Sequence, residues 1–177
     1  MTKQYLFAGF GGQGILFAGK LLAYKELMAG KDVSWLPSYG PEMRGGTASC
    51  GVVVSNHQIA TPIVLHPDVL IAMNLPSLDR YEPEVQPGGT IYVDSSLIER
   101  KVQRDDVTVH YIPATLLASQ NGLSTLANMI IMGKILKNEG TDIDDEAVKK
   151  ALEKCISARH ADMLKFNRDA LVIGSEY

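Results

Sequence analysis

The sequence predicts an α/β fold: one Rossmann-like domain over residues 1–177, with a mostly parallel sheet and helices on both faces. Three observations lead there. An apolar run, Tyr5-Leu6-Phe7-Ala8, passes directly into Gly9-Phe10-Gly11-Gly12-Gln13-Gly14 and then into a helical stretch. That strand, turn and helix order is the setting in which a G-x-G-x-x-G spacing has meaning. Short strand-like runs recur, and Val69 to Met73 is apolar throughout, as in strands buried on both faces of a sheet. Helical periods separate these runs, and alternation of the two implies parallel strands covered by helices.

In the first glycine turn, Gly9 permits a tight reversal, Gly11 permits close backbone approach to a ligand, and Gly14 permits close helix packing. The helix behind it runs from Ile15 to about Met28, with Ile15, Ala18 and Leu22 on one face and Gly30 as its stop. Its N-terminus offers unpaired N–H groups and the positive end of its dipole. Val33 to Leu36 reads as a second strand closed by Pro37. A second glycine loop follows, Ser38-Tyr39-Gly40-Pro41-Glu42-Met43-Arg44-Gly45-Gly46-Thr47. Ala48 to Val54 is a third strand, and the turn Ser55-Asn56-His57 predicts a hairpin returning along Gln58 to Ala60.

Beyond Val69 to Met73, a helical turn over Leu78 to Tyr81 ends at Pro83, and Pro87-Gly88-Gly89 turns into a strand at Thr90 to Asp94. Val107 to Ile112 is the next strand, and Leu116 to Gln120 begins a helical region broken at Asn121-Gly122. A long helix is expected from Leu123 to Asn138, with Lys134 and Lys137 near its negative end and Gly140 after it. Val148, Leu152 and Ile156 recur at helical spacing, and Asp162 to Ile173 predicts a last helix capped by Gly174. Both glycine loops then fall at the C-terminal strand edge, where such folds meet ligands or partners.

Composition narrows the function. Hydrophobic residues make up 46% and charged residues 21%, with a net charge of −3. That is ordinary for a globular domain and leaves no basic footprint for nucleic acid. Met1-Thr2-Lys3-Gln4 runs straight into the first strand, and no apolar stretch reaches membrane-spanning length. A cytoplasmic protein without membrane anchoring is expected, with Cys50 and Cys155 as separate thiols.

A nicotinamide-dependent dehydrogenase would carry an Asp or Glu at the end of its second strand to hold the ribose hydroxyls. Here that position reads Trp35-Leu36-Pro37-Ser38-Tyr39, and Asp32 lies at the strand's other end. The first glycine turn therefore either holds a phosphate without the ribose acid or serves close packing. In the second loop, Tyr39, Glu42 and Arg44 stand among glycines. It reads as an active-site or subunit-facing loop, or as a surface loop with a local Glu42–Arg44 contact.

His57, His66, His110 and His160 show no ligand spacing, so no metal site is expected. Ser55, Ser95 and Ser96 lack a nucleophile-elbow setting. No self-contained acid, base and nucleophile assemble. Two shaped loops without a catalytic set read best as one subunit of a larger enzyme. A free-standing dehydrogenase and a non-enzymatic nucleotide-binding regulator are the alternatives.

At these residues the chain resembles the gamma subunit, or gamma domain, of 2-oxoacid:ferredoxin oxidoreductases, the pyruvate/ketoisovalerate oxidoreductase gamma family. The resemblance rests on Gly9 to Gly14 and Ser38 to Gly46. Asp68 to Asn74, Asn128 to Gly133, and the tail pattern Asn167, Ala170, Gly174 add to it. It implies a complex that oxidatively decarboxylates a 2-oxoacid with coenzyme A, giving acyl-CoA, carbon dioxide and reduced ferredoxin, with 2-oxoglutarate weakly favoured. It implies alpha, beta and delta partner subunits, with thiamine diphosphate and magnesium held by alpha and beta and iron–sulfur clusters by beta and delta. The loop residues read as facing a ligand or partner subunit are Gly9, Gly11, Gly12, Gln13 and Gly14, with Ser38, Tyr39, Gly40, Glu42, Arg44, Gly45 and Gly46. No catalytic residue and no metal ligand are assigned to this chain.

Overall fold

The computed structural model describes residues 1–38 and 47–177. The strands are β1 (Thr2–Phe10), β2 (Asp32–Ser38), β3 (Thr47–Ser55), β4 (Val69–Ala72), β5 (Thr90–Asp94) and β6 (Thr108–Ile112). The helices are α1 (Ile15–Met28), α2 (Leu75–Tyr81), α3 (Ala114–Gln120), α4 (Ala127–Asn138), α5 (Glu146–Cys155) and α6 (Asp162–Glu176). One sheet runs β2-β3-β1-β4-β5-β6. β1, β4, β5 and β6 are parallel, and β3 is antiparallel to both β1 and β2. Five strands thus point one way, and one reversed strand, inserted between β1 and β2, makes the sheet mixed.

That insertion corrects the local pairing expected from the sequence. The partner of β3 in its hairpin is the preceding β2, with Trp35 opposite Val52 and Ser38 opposite Ser49. Gln58 to Ala60 forms no strand. Pro37 lies inside β2 rather than closing it, which an edge strand tolerates because one side has no ladder to complete. α4 begins at Ala127, four residues later than expected, after a turn over 123–126 in which Leu126 N–H bonds Leu123 C=O at 2.8 Å. Gly174 is interior to α6 and caps nothing.

Alternate residues of each central strand face opposite cores, as the two-residue pleat requires. Tyr5, Phe7, Val69, Ile71 and Tyr92 pack under α1, α3, α4, α5 and α6. Leu6, Leu70, Ala72, Ile91 and Val93 pack against Leu78 of α2 and Ile98. The helices on two faces are therefore unequal, with a thick helical layer on one side and a thin one on the other. The thin layer is held by Glu82, which is 5% exposed and accepts from Arg100 Nη2 at 2.8 Å and from the Gln103 and Arg104 amides.

Candidate functional site

The C-terminal ends of β1, β4, β5 and β6 lie along one sheet edge, and each is followed by a turn. At β1, Phe10 leaves the strand and Gly12 and Gly14 adopt left-handed φ values of 90° and 72°. Gly14 is the residue before the first turn of α1 and provides no side-chain cap. Two amides shape this loop. Gln13 Oε1 accepts from Phe10 N–H at 2.6 Å, and Gln13 Nε2 donates to the Met73 carbonyl at 3.0 Å. Asn128 Nδ2, from α4, donates to the Gly14 carbonyl at 3.0 Å.

Gly9 and Gly14 are explained by these amides. A Cβ at Gly9 would sit 2.6 Å from Gln13 Oε1 and 2.7 Å from Ile15 Cδ1. A Cβ at Gly14 would sit 2.8 Å from Asn128 Cγ, on top of its left-handed backbone. At Gly11 and Gly12 a Cβ would meet nothing within 4 Å.

The neighbouring strand ends are fixed by buried polar residues to which the sequence reading gave no role. Asn74, 2% exposed, accepts from Ser77 N–H at 2.8 Å and so caps α2. Asp94, fully buried, accepts from Thr115 Oγ1 at 2.6 Å and from Ser96 N–H at 3.1 Å. It thereby ties the end of β5 to the first turn of α3. Their one sequence signal is a polar residue ending an otherwise apolar run. Between these elements lies a recess of about 180 Å³, lined by Gly12, Gln13, Met73, Leu97, Thr115, Ser124, Thr125 and Ala127. None of these side chains is ionisable.

Of the residues singled out from the sequence, Gly9, Gly11, Gly12, Gln13 and Gly14 stand together at this edge. Ser38 ends β2 and pairs with Ser49, while Thr47 at the start of β3 pairs with Phe10. Both ends of the second glycine loop therefore leave the sheet at the edge that carries the first. Tyr39, Gly40, Glu42, Arg44, Gly45 and Gly46 lie outside the described residues. The two thiols are separate: Cys50 is fully buried, with burial pushing it up to about 12, and Cys155 is half-buried, pushed up by burial to about 11. Among the described residues no three His, Cys, Asp or Glu side chains group as a metal site, and no helix is long and apolar enough to cross a membrane.

Known proteins share this architecture and sequence. Ketoisovalerate oxidoreductase subunit VorA of Methanothermobacter thermautotrophicus is 37% identical over 170 residues, covering 96% of this chain and 35% of VorA. The chain thus spans about a third of that relative's length. 2-oxoglutarate synthase subunit KorC of Methanocaldococcus jannaschii is 35% identical over 159 residues, covering 88% of this chain and 82% of KorC. The gamma subunit of a keto/oxoacid ferredoxin oxidoreductase from Geobacter sulfurreducens superposes with a TM-score of 0.81 at 27% identity, over 98% of this chain and 96% of that one. The model of the pyruvate ferredoxin/flavodoxin oxidoreductase family matches residues 4–177, and the chain belongs to that family.

Proposed function

We propose that this chain is the gamma-type subunit of a cytoplasmic 2-oxoacid:ferredoxin oxidoreductase, in which companion subunits carry the reacting centre. The observation that carries the reading is the match to KorC over 88% of this chain and 82% of that relative, which is of comparable length and is named as one subunit of a 2-oxoglutarate synthase. The same match supports 2-oxoglutarate as the substrate, with a branched 2-oxoacid as the second reading from VorA.

In such a complex thiamine diphosphate supplies the site at which the 2-oxoacid loses carbon dioxide, and iron–sulfur clusters carry the electrons to ferredoxin. This chain's residues do not fit an iron–sulfur cluster. Two cysteines are too few for a four-thiolate cluster, and Cys50 is closed inside the core. Its contribution is the glycine-bearing edge, with Gly9 to Gly14 held by Gln13 and Asn128 and with Ser38 and Thr47, the two residues that flank the second glycine loop, at the same edge. In this reading Tyr39, Glu42 and Arg44 face a partner subunit or bound coenzyme A.

The test is reconstitution. The purified chain should not oxidise any 2-oxoacid with coenzyme A and a viologen dye. Adding alpha, beta and delta partners should restore turnover, with 2-oxoglutarate the preferred substrate. Full activity of the isolated chain overturns the assignment.

A further inference from the structure

The sheet ends on β2, which pairs with β3 on one side and with no described strand on the other. Its outer edge carries a row of backbone groups of the kind that natural edges blunt with charges, bulges or a covering segment. Asp32 and Pro37 blunt the two ends of this strand, but Val33-Ser34-Trp35-Leu36 between them carries no charge. Pro37 has no N–H to give, so its nitrogen belongs on the outer side of an edge strand. Backbone groups alternate in direction along an antiparallel strand, which turns the Val33 and Trp35 amides outward as well.

Both faces beside this edge are apolar. Val33 and Trp35 stand opposite Val54 and Val52 on the helix-covered face, where a groove of about 430 Å³ lies between Tyr24, Leu27, Val33 and Trp35. Leu36, opposite Gly51, lies on the other face and lines a groove of about 690 Å³ with Ile63 and Leu65. Leu27 is 52% exposed, Trp35 37%, Leu36 43%, Ile63 54% and Leu65 69%. At roughly 200 Å² for a large side chain, these fractions leave about 500 Å² of apolar surface around one strand. With the backbone edge added, that approaches the roughly 800 Å² per partner of a specific interface.

The strand is also complementary to itself. Antiparallel pairing of two copies of β2, centred on Ser34, sets Val33 of each copy opposite Trp35 of the other on the helix-covered face. The outward amides of these residues then close two doubly bonded pairs. Each indole falls toward the groove beside Leu27 of the other copy. Ser34, whose Oγ has no hydrogen-bond partner among the described residues, meets its own copy on the axis. The same contact is made twice, so the pair closes as a two-fold dimer.

We propose that β2 is a self-association edge: two copies of this chain join Asp32 to Leu36 of each in one continuous sheet, with Trp35 seated on Val33 and Leu27 of the other copy. The proposal goes beyond the subunit reading and does not depend on the substrate.

Sedimentation equilibrium of the purified chain tests it, and should show a monomer–dimer equilibrium in the micromolar range. Trp35 is the single tryptophan, so its emission reports the same contact and should shift to the red as dilution dissociates the dimer. Leu27→Lys places a cation in the last turn of α1, where the helix dipole favours it, so the thermal midpoint should hold. Its dimer should weaken about tenfold or more, because each groove then carries an unpaired charge. Ser34→Asp sets two carboxylates face to face on the axis and should give a monomer, whereas Ser34→Thr should keep the dimer. A chain that stays monomeric up to about 200 µM overturns the proposal. A dimer that Leu27→Lys leaves intact, or whose dilution leaves the Trp35 emission unchanged, uses another face and overturns it too. A monomeric chain whose recovery of a companion subunit is lost with Leu27→Lys also overturns it, and assigns the edge to that companion.

Discussion

Gln13 is a strut before it is anything else. Its oxygen takes the Phe10 amide and its nitrogen reaches the Met73 carbonyl, across the gap between the ends of β1 and β4. Gln13→Leu leaves one donor and one acceptor without their partner. As Gln13 is half-buried, water recovers part of the loss, so a cost of about 1–2 kcal/mol is expected in urea unfolding, with faster amide exchange at Phe10. His110 is a second residue whose chemistry the fold decides. Asn138 Nδ2 stands 3.0 Å from Tyr92 Oη and 3.2 Å from His110 Nε2, and the Tyr92 and His110 rings stack at 4.9 Å. An amide NH2 facing Nε2 requires that nitrogen to accept, which keeps the ring neutral with its proton on Nδ1. Burial first, and then the Lys134 charge, hold His110 below the usual histidine range. The unfolded chain therefore binds a proton more readily than the native one. This contribution is complete above the ordinary histidine pKa and is lost as pH falls through it toward the depressed native value. Unfolding free energies measured from about pH 7 to 5 should decline less steeply for His110→Phe than for the wild type.

α4 and α6 cross at two glycines used reciprocally. A Cβ at Gly133 would fall on the Leu171 carbonyl, and one at Gly174 on the Ile130 carbonyl, so each helix presses its bare face on the other's backbone. Gly133→Ala or Gly174→Ala must push the helices apart, against a gain in helix propensity of about 1 kcal/mol. Overpacking of about 1–3 kcal/mol or more should win, and each variant should unfold at lower denaturant. Once one methyl has separated the helices, the second meets more room. The double variant should therefore cost less than the sum of the singles, a coupling that a double-mutant cycle measures directly. Sequence periodicity could not expose this. Gly174 near the end of an apolar pattern has the same local signature as a helix stop, and only the partner helix reveals that it is interior.

At the scale of the molecule, the insertion of β3 decides what the glycine turn does. In a dinucleotide site the second strand lies next to the first, so that its terminal acid reaches the ribose. Here β3 separates β2 from β1, which puts the end of β2 two strand spacings away, roughly 10 Å. Ser38 stands there, and the nearest acid of that strand, Asp32, is at the opposite end. Isothermal titration with NAD or NADP should accordingly show no low-micromolar binding, whereas such binding would restore the free-standing dehydrogenase. The opposite face of β2 and β3 is thinly covered, with Val64 lying on Gly51 and a groove of about 690 Å³ beside Leu36, Ile63 and Leu65.

The sequence by itself determined what contiguous residues control. Tyr5 to Gly14 specified strand, glycine turn and helix; Ile15 to Met28 and Thr90 to Asp94 were legible to the residue, and the family motifs were readable in the same stretches. Each depends on local pleat, helical period or turn conformation, which a few neighbouring side chains decide. Only the tertiary structure decided the rest. That β3 reverses and wedges beside β1, that Gln13 spends its amide on Met73 sixty residues away, and that Gly14 makes room for Asn128 are pairings between distant segments. No local pattern records them, because their energy exists only once the core has closed and brought the two partners together.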